Sequence, residues 1–199
     1  KVEERILVKG NHDSQLEGIE TLQVTSPEGI VVNDVDEEGN TSKIGLAHGH
    51  AWPSKEVFSC EMICVGHTHP IVEFVDANGS RRVEKVWLAG ETKFDDEKAR
   101  QVACEHGIRQ GTKIIVFPAF SKWVGGMPVN ARYPAYPLLA SGQRESNKKR
   151  DGLLGPLFSN NLVDVENALC YTLDGVELGR VASLRSAGGT RQQRRRARD

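Results

Sequence analysis

Met62-Ile63-Cys64-Val65-Gly66-His67-Thr68-His69-Pro70 is the stretch from which the architecture is best read. Four apolar, strand-forming residues run straight into a glycine turn that carries two histidines one residue apart. The same grammar occurs twice upstream. Residues 43–47 form a strand-like run that ends in His48-Gly49-His50, and residues 5–8 form another that ends in Gly10-Asn11-His12-Asp13. Five of the six histidines therefore fall in three tight clusters, each directly after a strand. Polar groups at the C-terminal ends of several strands converge on one edge of a sheet, where ligand and metal sites are commonly built.

Further strand-like runs cover residues 71–76, 81–88, 113–117, 168–173 and 176–183. Asp76-Ala77-Asn78-Gly79 and Asp174-Gly175 each sit between two such runs and predict hairpins. Residues 95–106 read as a helix with acidic residues in its first turn and Gly107 as its stop, and residues 55–61 after Pro53 as a shorter one. The balance is mixed α and β, α+β in type, with more strand than helix. Residues 118–156 are rich in Gly, Pro, Asn and Ser and read as a long irregular stretch. Residues 183–199 hold six arginines against one acid and lack apolar periodicity, which predicts a domain over 1–184 and a disordered basic tail over 185–199.

At 199 residues and net charge −1, the chain fits one domain with a real core and has no overall pull toward nucleic acid or membrane. No apolar run reaches the length of a membrane span, and no signal peptide opens the chain. Cys60, Cys64, Cys104 and Cys170 are scattered, as small buried thiols are in a reducing cytoplasm. A zinc knuckle through Cys60 and Cys64 would need a second cysteine pair, which does not follow, and Cys64 sits inside an apolar strand. The chain opens on a lysine and enters a strand almost at once, so it reads as starting inside a domain.

Imidazole nitrogens suit manganese, iron, zinc and nickel, and His-x-His on a turn can reach two neighbouring ions. An asparagine can add a neutral amide oxygen. His12, beside Asn11 but pointing elsewhere, would be free to donate a proton, with Asp13 fixing its tautomer. Each cluster also has a plain reading, since Asn, His and Asp are ordinary turn residues. Three clusters in this order, each after a strand, outweigh it.

Gly10-Asn11-His12-Asp13, His48 and Gly66-His67-Thr68-His69 resemble the later motifs of calcineurin-like metallophosphoesterases. Leu46-Ala47-His48-Gly49-His50-Ala51-Trp52-Pro53 and Val116-Phe117-Pro118-Ala119-Phe120 resemble a narrower branch, archaeal phosphoesterases grouped with DNA double-strand-break-repair nucleases. The resemblance covers roughly residues 1–184. It implies a four-layer sandwich of two facing mixed sheets with flanking helices, lacking its N-terminal strands. It also implies a two-metal site, manganese first and zinc, iron or nickel as alternatives. In it Asn11, His48 and His67 hold one ion and His69 the other. His12 faces the scissile phosphate with Asp13 behind it, and His50 touches phosphate or supports a ligand. The activity implied is metal-dependent hydrolysis of phosphomono- or phosphodiesters.

The family opens with Asp-x-His and Gly-Asp-x-x-Asp, and neither motif occurs in this sequence. By motif matching one ion keeps three protein ligands and the other only His69, so the two-metal site is incomplete in these residues. Two explanations stand: a fragment of a longer enzyme, inactive alone, or a non-catalytic metal-binding or interaction module that has lost the first site. A nuclease of DNA repair is a further reading, in which the arginine tail holds nucleic acid by its phosphates. Trp123 reads as a loop residue packed on the core, with substrate stacking as its alternative.

Overall fold

The computed structural model describes residues 5–13, 22–35, 37–76, 78–131 and 153–187. In chain order its strands are β1 (Ile6–Val8), β2 (Gln23–Thr25), β3 (Ile30–Val35), β4 (Thr41–Ala47), β5 (Met62–Val65), β6 (Pro70–Val75), β7 (Arg81–Lys85), β8 (Trp87–Glu91), β9 (Lys113–Val116), β10 (Met127–Pro128), β11 (Leu169–Tyr171) and β12 (Glu177–Arg180). The helices are α1 (Lys55–Phe58), α2 (Glu97–His106), α3 (Pro156–Ser159) and α4 (Val181–Ala187). The architecture is mixed α/β with few helices, as the patterning predicts.

A seven-stranded sheet has the order β12-β11-β8-β9-β5-β4-β3, and a three-stranded one the order β10-β6-β7. β1 and β2 form a parallel pair. In the large sheet β4, β5 and β9 run parallel, so the loops that follow them emerge on one edge. Alternation sets which face is buried. Ala47, Val65, Val116, Leu88 and Cys170 line up across the strands, each buried, and Ile63 and Ile114 form the next row. Gly45 sits opposite Ile63 in that row. A Cβ on Gly45 would lie 2.7 Å from Val57 Cγ1 and 3.1 Å from Val57 O, so the missing side chain is what lets α1 seat Val57 against the sheet.

Local chemistry fixes the ends of these elements. Ser54 Oγ accepts from Val57 N to cap α1, and Asp96 Oδ1 accepts from Ala99 N to cap α2. Gly107, at φ 69°, ends α2 in the left-handed region. Asp76 Oδ1 accepts from both Asn78 N and Ser80 N, closing the β6–β7 hairpin. Beside β6, the two residues of β10 pair with Pro70 and Ile71. Asn130 then continues the rung with its side chain: Oδ1 accepts from Glu73 N at 2.9 Å and Nδ2 donates to Glu73 O at 2.8 Å.

Several expectations need correcting. The run 81–88 is not one strand, because Val86 turns inward to bond Pro70 O and Trp87 crosses to pair with Tyr171 in the large sheet. The run 176–183 is a strand only to Arg180. Val181 N and Ala182 N then bond Ala168 O and Glu166 O, and the chain turns into α4. That helix extends through Ala187 and takes in Arg185, whose Nε and Nη2 donate to Val129 O and whose Nη1 pairs with Glu166. Arg185 is thus part of the fold, while residues 188–199 of the expected tail lie outside the described residues, as do 132–152 of the irregular stretch. Cys60 and Cys170 are buried, but Cys104 is exposed on α2. Trp123 is not packed on the core. It is 96% exposed.

Among the described residues no helix is long and apolar enough to cross a membrane. Gly45→Ala forces a methyl group into the seam between β4 and α1. It is expected to lower stability by about 1–3 kcal/mol, the usual cost of overpacking a filled core. A urea midpoint equal to that of the parent chain would show that α1 yields freely.

Candidate functional site

The edge at the C-terminal ends of β4 and β5 carries the histidines. Gly66 N donates to His48 O at 3.0 Å, so the two loops are stitched together where they leave the sheet. Gly49, at φ 105°, turns the first loop between its histidines. A Cβ on Gly155, just before α3, would collide with Gly49 O, so the loop is also braced from behind. In the second loop His67 has φ 61° and His69 φ 46°. These are two of the three non-glycine residues with positive φ among the described residues. An L-residue resists that region, and such backbones persist where the surroundings over-determine them, often at functional sites. Between the two, Thr68 is buried and its N–H bonds Gly66 O at 2.7 Å.

The result is a histidine triangle. Ring centroids stand 5.0 Å apart for His48 and His50, 5.2 Å for His48 and His67, and 5.7 Å for His50 and His67. The loop after β1 closes on it: His48 Nε2 lies 3.1 Å from Asn11 Oδ1. Asp13 Oδ2 accepts from Gly10 N at 2.8 Å, and a Cβ on Gly10 would lie 2.8 Å from both that oxygen and His48 Cε1. Asp13 therefore shapes the loop that brings Asn11 to His48. His12 is exposed, near enough for its charge to act on His67.

Burial is the first cause that lowers the pKa of three of these imidazoles. His48 is pushed down to about 4 by burial, then by His67 and His50, with Asp13 opposing. His67 is lowered by burial, then by His50, His69 and His12. His69 is lowered by burial, then by Lys85. At neutral pH these rings are uncharged, the form in which imidazole binds a metal.

Donor chemistry is the first test of whether a cation fits. The cluster offers neutral nitrogens and an amide oxygen. Among the described residues, the buried Nδ1 of His50 lacks a hydrogen-bond partner. The 3.1 Å between Asn11 Oδ1 and His48 Nε2 suits a hydrogen bond. It equally matches two ligand atoms at right angles on one ion with bonds of about 2.1 Å. Against this, no group of three or more His, Cys, Asp or Glu side chains among the described residues is arranged to hold a metal ion. The donors suit a divalent cation, with Asn11 as a necessary member, but the side chains are not already set around one.

The loop after β9 joins the same edge, and patterning gave no sign of how it is held. Lys85 Nζ donates to Ala119 O at 3.1 Å and also to Ser121 O. Lys85 is an unremarkable lysine at the end of a polar strand in sequence; only the β6–β7 register brings it beside His69 and this loop. Comparison with protein-family models, curated proteins and solved structures gives no match.

An ordinary histidine protonates near 6.5. Between that value and about 4 the unfolded chain binds a proton at residue 48 that the folded chain refuses, so stability falls as pH drops through this window. His48→Gln keeps an amide donor for Asn11 and removes the titration. Urea midpoints at pH 7 and pH 5 should differ less for the variant than for the parent. Equal differences would mean that His48 protonates normally in the folded chain.

Proposed function

We propose that this chain carries part of a divalent-metal-dependent phosphoesterase site that hydrolyses phosphomono- or phosphodiesters. The observation that carries the reading is the convergence of the His48, His50 and His67 rings and Asn11 on one sheet edge, with His67 and His69 in a costly left-handed backbone. A purely structural turn would have no need for that combination. Asn11, His48 and His67 hold one cation, and His69 contributes to a second. Manganese is the first choice, with zinc, iron or nickel as alternatives. When bound, divalent ions neutralise phosphate charge and make water more acidic.

The remaining work falls to the chain itself. His12, exposed beside His67, holds a proton at the phosphate and passes it to the leaving oxygen. Asp13 keeps the loop closed through Gly10 N, which holds Asn11 at His48. His50, with a buried unpaired Nδ1, orients phosphate oxygen or supports a neighbouring ligand. Phosphoryl transfer asks mainly for such positioning and charge compensation. The four-layer sandwich of two facing sheets belongs to the same proposal.

One observation favours a non-catalytic metal-binding module instead: Asp13, a carboxylate whose charge reaches His48, is committed to Gly10 N. Titration calorimetry with manganese and zinc on this chain separates the readings when paired with turnover of an aryl phosphate and an aryl phosphodiester by the chain joined to an upstream segment that supplies Asp-x-His and Gly-Asp-x-x-Asp. One weak site should appear, abolished by His67→Ala and kept by His12→Ala, and His12→Ala should lower turnover. Metal binding without turnover favours the module. No binding, or equal loss of metal in both variants, overturns the assignments.

A further inference from the structure

We propose that the loop 117–126 is a stacking rim that binds the nucleobase of an ester whose phosphate lies at the histidine turn. This rests on the phosphoesterase reading for the phosphate and on separate observations for the base. The loop begins and ends on the turn itself. Phe117 N donates to Val65 O at 2.8 Å, one residue before Gly66. At the other end Met127 N donates to His69 O at 3.0 Å, and Gly126 presses so closely on that oxygen that a Cβ would collide with it. Between these anchors Ala119 is buried, and Lys85 grips the carbonyls of Ala119 and Ser121. The Phe117 ring packs edge-on to Trp87 at 4.9 Å.

On this fixed base Phe120 and Trp123 project fully into water, at 106% and 96% exposure, with exposed Lys122 between them. Two large rings left wholly wet on a pinned loop suit a partner that brings a flat apolar face. A nucleotide brings that face together with an anion, matching the rings to its base and Lys122 and the turn to its phosphate. An aliphatic ester offers no such face. A folded protein partner would need an interface of about 1,000 Å² or more, beyond the roughly 300–500 Å² that two aromatic side chains present.

Binding can be read without metal or turnover. Intrinsic tryptophan fluorescence of the chain is followed on adding thymidine 5′-monophosphate, a short oligothymidylate, glycerol phosphate, or phosphatidylcholine–phosphatidylserine vesicles. The two thymidine ligands should quench, and glycerol phosphate should not. Trp123→Phe should keep affinity for the thymidine ligands, measured by labelled-ligand anisotropy. Trp123→Ala and Phe120→Ala should each weaken it, roughly 5- to 150-fold, the range of losing one base stack. Similar affinity for both ligands identifies a mononucleotide as the source of the base; much tighter binding of the oligomer identifies a single strand. Both support the rim. Unchanged affinity in both alanine variants, or a response to vesicles alone, overturns it. A failed metal titration would sink the phosphoesterase reading and leave this fluorescence result intact.

Discussion

The bond from Gly66 N to His48 O is the constraint on which the histidine edge depends. Parallel pairing of β4 with β5 brings Ala47 opposite Val65, and one residue later the strands must part. The bond holds the two chains together at that point, where side chains of the sheet give way to imidazoles. Beyond it the second loop folds back into left-handed backbone at His67 and His69, and the buried Thr68 fixes the fold from beneath. Without the rigid strands below, a backbone that L-residues resist would relax, and the rings would drift apart.

Close backbone approach braces the same edge from three sides. Gly155 leans on Gly49, Gly126 on His69, and Gly10 on His48. At each place a side chain would push the neighbouring element away, so these glycines act by absence of bulk. The histidine edge is therefore assembled from segments far apart in the chain, none of which could hold the arrangement alone.

Much of this was legible in the sequence. Strand ends followed by Gly-His patterns located Asn11, His48, His50, His67 and His69 on one edge, because period-two alternation and turn chemistry are local properties. The hairpin at Asp76 and the stop of α2 at Gly107 were legible for the same reason. What escaped was long-range. Lys85 acquires its place through the register of β6 and β7, and β3 is paired only because β4 presents an edge to it. Trp123 was expected in the core because indoles usually bury, but the anchors at Val65 and His69 hold its loop outward. The switch of Val86–Trp87 between sheets depends on Pro70 and Tyr171, which no local pattern could have indicated.

Asn130 has a consequence for how copies of this molecule meet. β10 stops after two residues, and its Pro128 carries no amide hydrogen. The next rung on β6 would expose the N–H and C=O of Glu73, an open template for a foreign strand. The carboxamide of Asn130 occupies both groups at once, imitating a peptide unit where the strand has ended. A side chain thus closes the rung of β6 beyond β10 that would otherwise be open to a foreign strand, and one amide does there what a further strand residue would do.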